Sequence, residues 1–283
     1  MRQRGIALVL VMWLVALLIA LVGAFAMTAR IEHMQGRTLA RGIVAEQAAR
    51  AGLEYAMTRL TDPDPALQWS PDGRAYPWAF DDVAVVVRVI DESGKVDLNA
   101  AEAPLLAALF QAAGSEADAA SAVAAAIIDW RDSDTLTQPG GGAEDAQYAA
   151  AGRPYGAKDA PFETVGEVEQ VLGMTPALYA RVEEHLTVFS GQAQPDERFA
   201  AGLVLQALGI DPAAALAQRE VAATLVGDTS LVGGGSGTYS VDSRARLPDG
   251  SQAVLRAVVR AGASGVPGSA YAPLRWEQGA TPR

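Results

Sequence analysis

The stretch RQRGIALVLVMWLVALLIALVGAFAM, residues 2–27, decides how the rest of the chain is read. From Ile6 to Met27 it holds 22 residues without a charge, and about 20 apolar residues span a bilayer as a helix. Arg2 and Arg4 stand before the run, which predicts a cytoplasmic N-terminus and an exported body. Three outcomes fit these residues. Ala24-Phe25-Ala26 offers a small-x-small site for a secretory peptidase, although the apolar core is longer than the roughly 7–15 residues of a secretory signal. The run is also long enough to stay as a simple uncleaved anchor. The third outcome starts from Gly5, at the border between basic leader and apolar run: a cut between Gly5 and Ile6, on the cytoplasmic side, leaves the apolar segment attached.

Working outward, Thr28 to Leu60 has no Pro. Ile31, Met34, Leu39, Ile43, Val44, Ala48, Ala51, Leu53, Ala56 and Leu60 recur at many three- and four-residue spacings, the period of one helix face. Arg and Glu fill the other face, with Glu46 and Arg50 as an i,i+4 pair. Gly36, Gly42 and Gly52 weaken such a helix by up to about 1 kcal/mol each without stopping it. The pattern predicts one rod from Ile6 to Leu60, roughly 80 Å long. Its lower half is apolar and its upper half amphipathic, which suits packing in a helical filament. Asp62-Pro63-Asp64-Pro65 ends it, because two prolines so close cannot continue a helix.

The chain has 283 residues, no cysteine and two histidines, His33 and His185. Zero Cys excludes disulfides, thiolate zinc sites and a Cys nucleophile. The net charge of -11 is unevenly spread. Residues 1–60 hold seven Arg and three Glu, a net +4, so the remaining 223 residues carry -15. An acidic body is a poor match for phosphate backbones.

In that body, residues 66–81 (with Trp69, Pro71, Gly73, Pro77 and Trp78) read as a loop, and Val83–Ile90 as a strand. Val96–Asn99 resumes as an extended segment, with Asn99 as the expected N-cap of a helix around Leu105–Phe110 that Gly114 stops. Ser115–Trp130 reads as an Ala-rich helix, and Asp132–Gln147 as a loop marked by Pro139-Gly140-Gly141-Gly142. Short helices are expected around Val165–Leu172, Pro176–His185, Phe199–Leu208 and Pro212–Glu220, then a Gly-rich linker at Leu231–Gly237. Thr238–Leu247 and Gln252–Arg260 read as a hairpin about Pro248-Asp249-Gly250, with a further strand at Tyr271–Glu277. The fold class is therefore α+β, with a helical block set into a small sheet.

At this point the chain resembles the type K minor pseudopilins of bacterial type II secretion systems. RQRGIALVLVMW with its rod, IDESGKVDLNAA, AIIDWRDSD with GGAEDAQY, and RPYGAKDAPFETVGEVEQVLGMTPALYARVEEHLTVFSG carry the resemblance, together with YSVDSRARLPDG and PLRWEQG. Residues 191–235 match least clearly. The resemblance implies a pseudopilin fold with a prepilin leader at 1–5, cut by a prepilin peptidase between Gly5 and Ile6. The transmembrane half of the helix would be 6–27 and the amphipathic half 28–60. The sheet domain would comprise 61–98 and 236–283, and the inserted helical domain 99–235. It also implies a single-pass inner-membrane protein with a periplasmic head, partnered by the type I and type J minor pseudopilins and the major pseudopilin. Ile31, Met34, Leu39 and Ile43 are the expected partner-binding positions. Most pilins carry a Glu at the fifth mature position, whereas Leu10 stands here. A carboxylate in a membrane needs a partner, and a subunit with nothing above it has less need of that pairing. Leu10 thus accords with a place at the filament tip, where the family is expected to initiate or cap assembly.

Asp129, Asp132, Asp134, Glu144, Asp145 and Asp159 fall within 31 residues around the Gly-rich loop. By composition this is either a solvated acidic loop or an oxygen cage of the kind that suits Ca²⁺. Ala143 stands twelfth from Asp132, so the stretch is not an EF-hand. The resemblance favours calcium, on Asp132, Asp134, Glu144, Asp145 and Asp159, the last usually Asn in the family.

Two rivals are weaker. A membrane-anchored helix-hairpin-helix DNA-binding protein would use VDLNAA and VEQVLGMTPALY, but residues 100–170 hold twelve acidic side chains against three basic ones. An envelope hydrolase would pair carboxylates such as Asp132 and Glu144, yet the sequence lacks Gly-x-Ser-x-Gly, a P-loop and a His-based metal motif. A structural subunit, with no nucleic-acid partner and no catalysis, is the expectation.

Overall fold

A computed structural model describes residues 4–64, 66–224, 235–262 and 270–279; leader residues 1–3 and most of the expected linker Leu231–Gly237 lie outside the described residues. The rod is one continuous helix, α1, Arg4–Leu60. Gly5 and Ile6 sit in its first turn. From Leu8 to Met27 its large apolar side chains are exposed, and its length and apolarity are sufficient to cross a membrane once.

The last third of α1 is packed against the sheet. Ala45, Ala48, Ala49, Leu53, Ala56, Met57 and Leu60 are buried, a stripe at helical period made mostly of small residues. Small side chains let the helix lie close. A Cβ on Gly52 would press into Ser243 Oγ and stand 2.8 Å from Val85 Cγ1.

Strands β1 (Asp72–Phe80), β2 (Val83–Asp91), β5 (Thr238–Arg246), β6 (Gln252–Ala261) and β7 (Tyr271–Gln278) form an antiparallel sheet in the order β1-β2-β5-β6-β7. Their period-2 pattern turns Val83, Val85, Val87 and Val89 of β2 and Ala253, Leu255, Ala257 and Val259 of β6 toward α1 in one core.

The expected loop at 66–81 is corrected here, because Asp72–Phe80 is strand β1. Gly and Pro masked it. Pro77 is tolerated because β1 is an edge strand. Aromatic packing replaces a β-branched run: Trp69 stacks on Tyr76 at 4.2 Å and Tyr55 of α1 on Trp78 at 4.6 Å.

Between β2 and β5 the chain leaves the sheet. A short strand β3 (Val96–Asp97) pairs in parallel with β4 (Leu186–Thr187). Between them lie α2 (Ala103–Ala112), α3 (Ala117–Arg131), α4 (Asp145–Ala150), a 3-10 turn (Val165–Gln170) and α5 (Pro176–Val182). Two more helices, α6 (Gly202–Ala207) and α7 (Pro212–Thr224), follow β4. Leu106, Leu109, Phe110, Ile127, Tyr148, Val168, Val182 and Leu205 are members of a second core. Val168, Val171, Met174 and Leu178 of VEQVLGMTPALY belong to that core, so the apolar side of this segment is used for packing.

Asn99 does not cap α2, which begins at Ala103 after Glu102. Asn99 instead clamps the 162 loop, its Nδ2 donating to Phe162 O (2.9 Å) and its Oδ1 accepting from Phe162 N–H (2.7 Å).

The two cores meet at a buried polar knot in Asp91–Asp97. Glu92 is 1% exposed. It accepts from Lys95 Nζ (2.6 Å), Thr187 Oγ1 and Ser240 Oγ. Asp91 accepts from Ser93 N–H and Ser236 N–H, and Asp97 from Asn99 N–H and Gly191 N–H. Burying a carboxylate is costly unless it is satisfied in this way.

Candidate functional site

The acidic cluster is assembled by the end of α3 and the loop after it. Arg131 closes α3 by donating to the carbonyls of Leu98 and Ala101. The loop then folds back on the helix, and Gln138 N–H donates to Asp129 Oδ1 (3.0 Å). Gly142 is required at this approach, since a Cβ there would meet Asp129 Oδ2 and stand 2.7 Å from Gln138 N. Glu144 precedes α4, where Gln147 Oε1 accepts from Glu144 N–H (3.0 Å).

Asp132, Asp134 and Glu144 each bring a carboxylate oxygen within 4.8 Å of the others. Burial first, and then the carboxylates Asp129, Asp159, Asp132 and Asp134, push Glu144 up to about 7. Burial and then Asp134 also raise Asp132. Two basic residues of this region are engaged elsewhere: Arg131 as above, and Lys158 with Glu167 at 2.7 Å. Two oxygens in the cluster, Asp132 Oδ1 and Glu144 Oε1, are buried without a hydrogen-bond partner. Such groups are costly unless protonated or matched by positive charge. Converging hard oxygens with unmatched charge fit a divalent cation.

The expected ligand residues divide. Asp132, Asp134 and Glu144 come together. Asp159 lies outside that trio but close enough to raise Glu144, and its backbone is left-handed (φ 52), a conformation that Asn and Asp tolerate best. Asp145, the first residue of α4, is exposed and faces Gly156. Asp129, absent from that expected set, is completely buried and ties the loop to α3. Its position one turn before the helix end was the available sign.

On α1, the expected partner positions Ile31, Met34, Leu39 and Ile43 are 46%, 51%, 69% and 59% exposed. Buried packing on the sheet starts at Ala45. The unpartnered part of the amphipathic half is therefore 28–44 rather than all of 28–60.

A family profile described as type II secretion system (T2SS), protein K, matches residues 84–191. The chain is 31% identical over 229 residues to type II secretion system protein K of Klebsiella pneumoniae, covering 69% of this chain and 68% of that one. This chain belongs to the type II secretion system protein K family. A second member, from Pectobacterium carotovorum subsp. carotovorum, is 26% identical over 204 residues, 64% of this chain and 61% of that protein. The fold is also similar to a chain in the crystal structure of the GspK-GspI-GspJ complex from enterotoxigenic Escherichia coli. The TM-score is 0.58 at 16% identity, covering 89% of this chain and 99% of that one. As a protein K, the chain is a minor pseudopilin of type II secretion. Its family profile starts inside β2 and ends just beyond β4, so it spans the acidic cluster and the clasp that holds the helical block.

Proposed function

We propose that this protein K is the tip subunit of the pseudopilus, initiating or capping assembly, with no catalysis of its own. The observation that carries this is the pairing of protein K membership with a continuous rod whose exposed apolar half ends in a broad two-core head. The head is wider than the rod and would block addition of subunits above it. Leu10 in place of the usual Glu supports the same position, since no neighbouring amine is needed to balance it.

In this reading a prepilin peptidase cuts between Gly5 and Ile6, the N-terminus stays cytoplasmic and the head is periplasmic. Residues 6–27 remain in the inner membrane. Ile31, Met34, Leu39 and Ile43 pack against minor pseudopilins of types I and J, and the major pseudopilin follows below. A solved relative assembles as GspK-GspI-GspJ, which supports those partners. Asp132, Asp134 and Glu144, with Asp159 beside them, would hold Ca²⁺. The ion would supply the positive charge that the buried carboxylates lack.

Processing tests the assignment directly. Substituting Gly5→Val should leave an unprocessed precursor and abolish secretion, and Edman sequencing of the wild type should begin at Ile6. Normal processing and secretion by the variant, or a mature chain beginning at Met27, would overturn it.

A further inference from the structure

Alternation along β2, β5, β6 and β7 turns one set of side chains toward α1 and leaves the other set on the opposite face. On that outer face stand Arg88, Arg244, Arg246, Arg256, Arg260 and Arg275, against two acids, Asp242 and Glu277. The register places Arg88, Asp242, Arg256 and Glu277 in one row across four strands. Asp242 is shared by Arg244 (2.7 Å) and Arg256 (3.1 Å), and Glu277 is taken by Arg275. Arg88, Arg246 and Arg260 are exposed and have no carboxylate within ion-pair distance among the described residues.

Elsewhere in the head, arginines either pair with a nearby acid, as Arg74 with Asp72 and Arg198 with Asp196 (both 2.6 Å), or stand singly, as Arg131, Arg181 and Arg219 do on backbone carbonyls. The outer face instead groups six arginines against two acids, in a body whose residues 61–283 carry -15. It is a local reversal of sign. Val86, 38% exposed, and exposed Ala84 lie in the same strand, so the face offers apolar ground between the charges. A guanidinium presents a planar fork that matches a carboxylate in bidentate fashion. The face is four strands wide, roughly 15 Å. A long polyphosphate would run off it onto the acidic remainder of the head and be repelled. A compact acidic surface would not.

We propose that the outer face of the sheet, opposite α1, is a docking face for a protein partner that presents clustered carboxylates. Complementarity of this kind sets encounter rate and orientation more than raw affinity.

The test uses the full chain in neutral detergent and a fluorescein-labelled peptide of about 12 glutamates, followed by anisotropy at about 50 mM and about 500 mM salt. Wild type should bind at low salt and release at high salt. The variant Arg88→Ser/Arg246→Ser/Arg260→Ser should bind about tenfold more weakly. The control Arg30→Ser/Arg37→Ser/Arg153→Ser, with the same change in net charge, should lose less than about twofold. Replacing the same three face residues by Lys keeps the charge without the fork, guards against misfolding, and should bind at a strength between wild type and the Ser variant. Absence of binding by wild type, equal loss in face and control variants, or loss in the Lys variant to the Ser level overturns the proposal. Tighter binding of a single-stranded DNA of similar charge would assign a nucleic acid instead and also overturn it. So would self-association in sedimentation that the Ser variant abolishes, because the occupant would then be a second copy.

Discussion

The head contains two cores that are stabilised in different ways. The rod–sheet core is built from period-2 valines facing a helical stripe of Ala, Gly and Leu. Its register runs unbroken over eight or nine residues between β2, β5 and β6. The helical core is built from short helices, and buries Asp129 and Glu144 beside Asp132 and Asp134. Among the described residues, the rod–sheet core leaves one neutral hydroxyl, Ser243 Oγ, without a partner and no charge unmatched. The other holds carboxylate oxygens that protein atoms leave unmatched. The difference teaches that stability here is partitioned: ionic conditions should act on the helical core and leave the sheet almost untouched.

The largest effect should come from breaking the knot that joins the cores. Glu92→Ala strands Lys95 and two hydroxyls beside it, and should cost about 4 kcal/mol in urea unfolding of the detergent-solubilised chain. A loss under about 1 kcal/mol would mean the cores are not coupled through Glu92. Next, Leu53→Ala empties a site that is 0% exposed in the rod–sheet core. It should cost about 3 kcal/mol and leave any calcium response intact. If the calcium response vanished with it, the partition would be wrong.

Calcium itself should sharpen the contrast. At a hundredfold excess over its dissociation constant, a bound ion stabilises by about 2.7 kcal/mol. EGTA should therefore lower the helical unfolding transition and not the sheet transition. A melting profile indifferent to EGTA, with no calcium by elemental analysis, would remove the ion from the account. A smaller effect is expected from pH. Glu144 is raised to about 7 in the folded chain, so the chelated fold holds a proton that the unfolded chain has released. The contribution of this group should be fully present below the ordinary carboxylate range and be lost as pH rises through about 7. Calcium loading should cancel that loss, and a chelated protein that gains stability between pH 5 and 8 would contradict it. The smallest effect is Arg41→Ala, which removes an exposed 2.8 Å pair with Asp249 at the hairpin turn. It should leave the urea midpoint unchanged, because solvent screens so exposed a pair.

Legibility followed the same division. The rod, the valine strand and the hairpin about Pro248-Asp249-Gly250 were readable because period and turn chemistry are local signals. Strand β1 was hidden because Pro77 and Gly73 spoke for a loop, while its partners, Tyr55 and the valines of β2, act from a distance. Asn99 was misread for the same reason: its partner, Phe162, is 63 residues away. In the acidic cluster, composition pointed to the stretch of chain in which carboxylates converge. It could not separate Asp132, Asp134 and Glu144 from exposed Asp145, which depends on where α4 begins.

The parallel clasp of Val96–Asp97 with Leu186–Thr187 has one more consequence. It brings the way out of the sheet and the first way back to a single doorway, so the 88 residues between Asp97 and Leu186 impose no spacing on β2 and β5. Material can be added to or taken from that excursion without re-registering a strand. The head is in this sense a socket with an exchangeable insert, and its outline can be re-tailored while the rod–sheet frame keeps its dimensions.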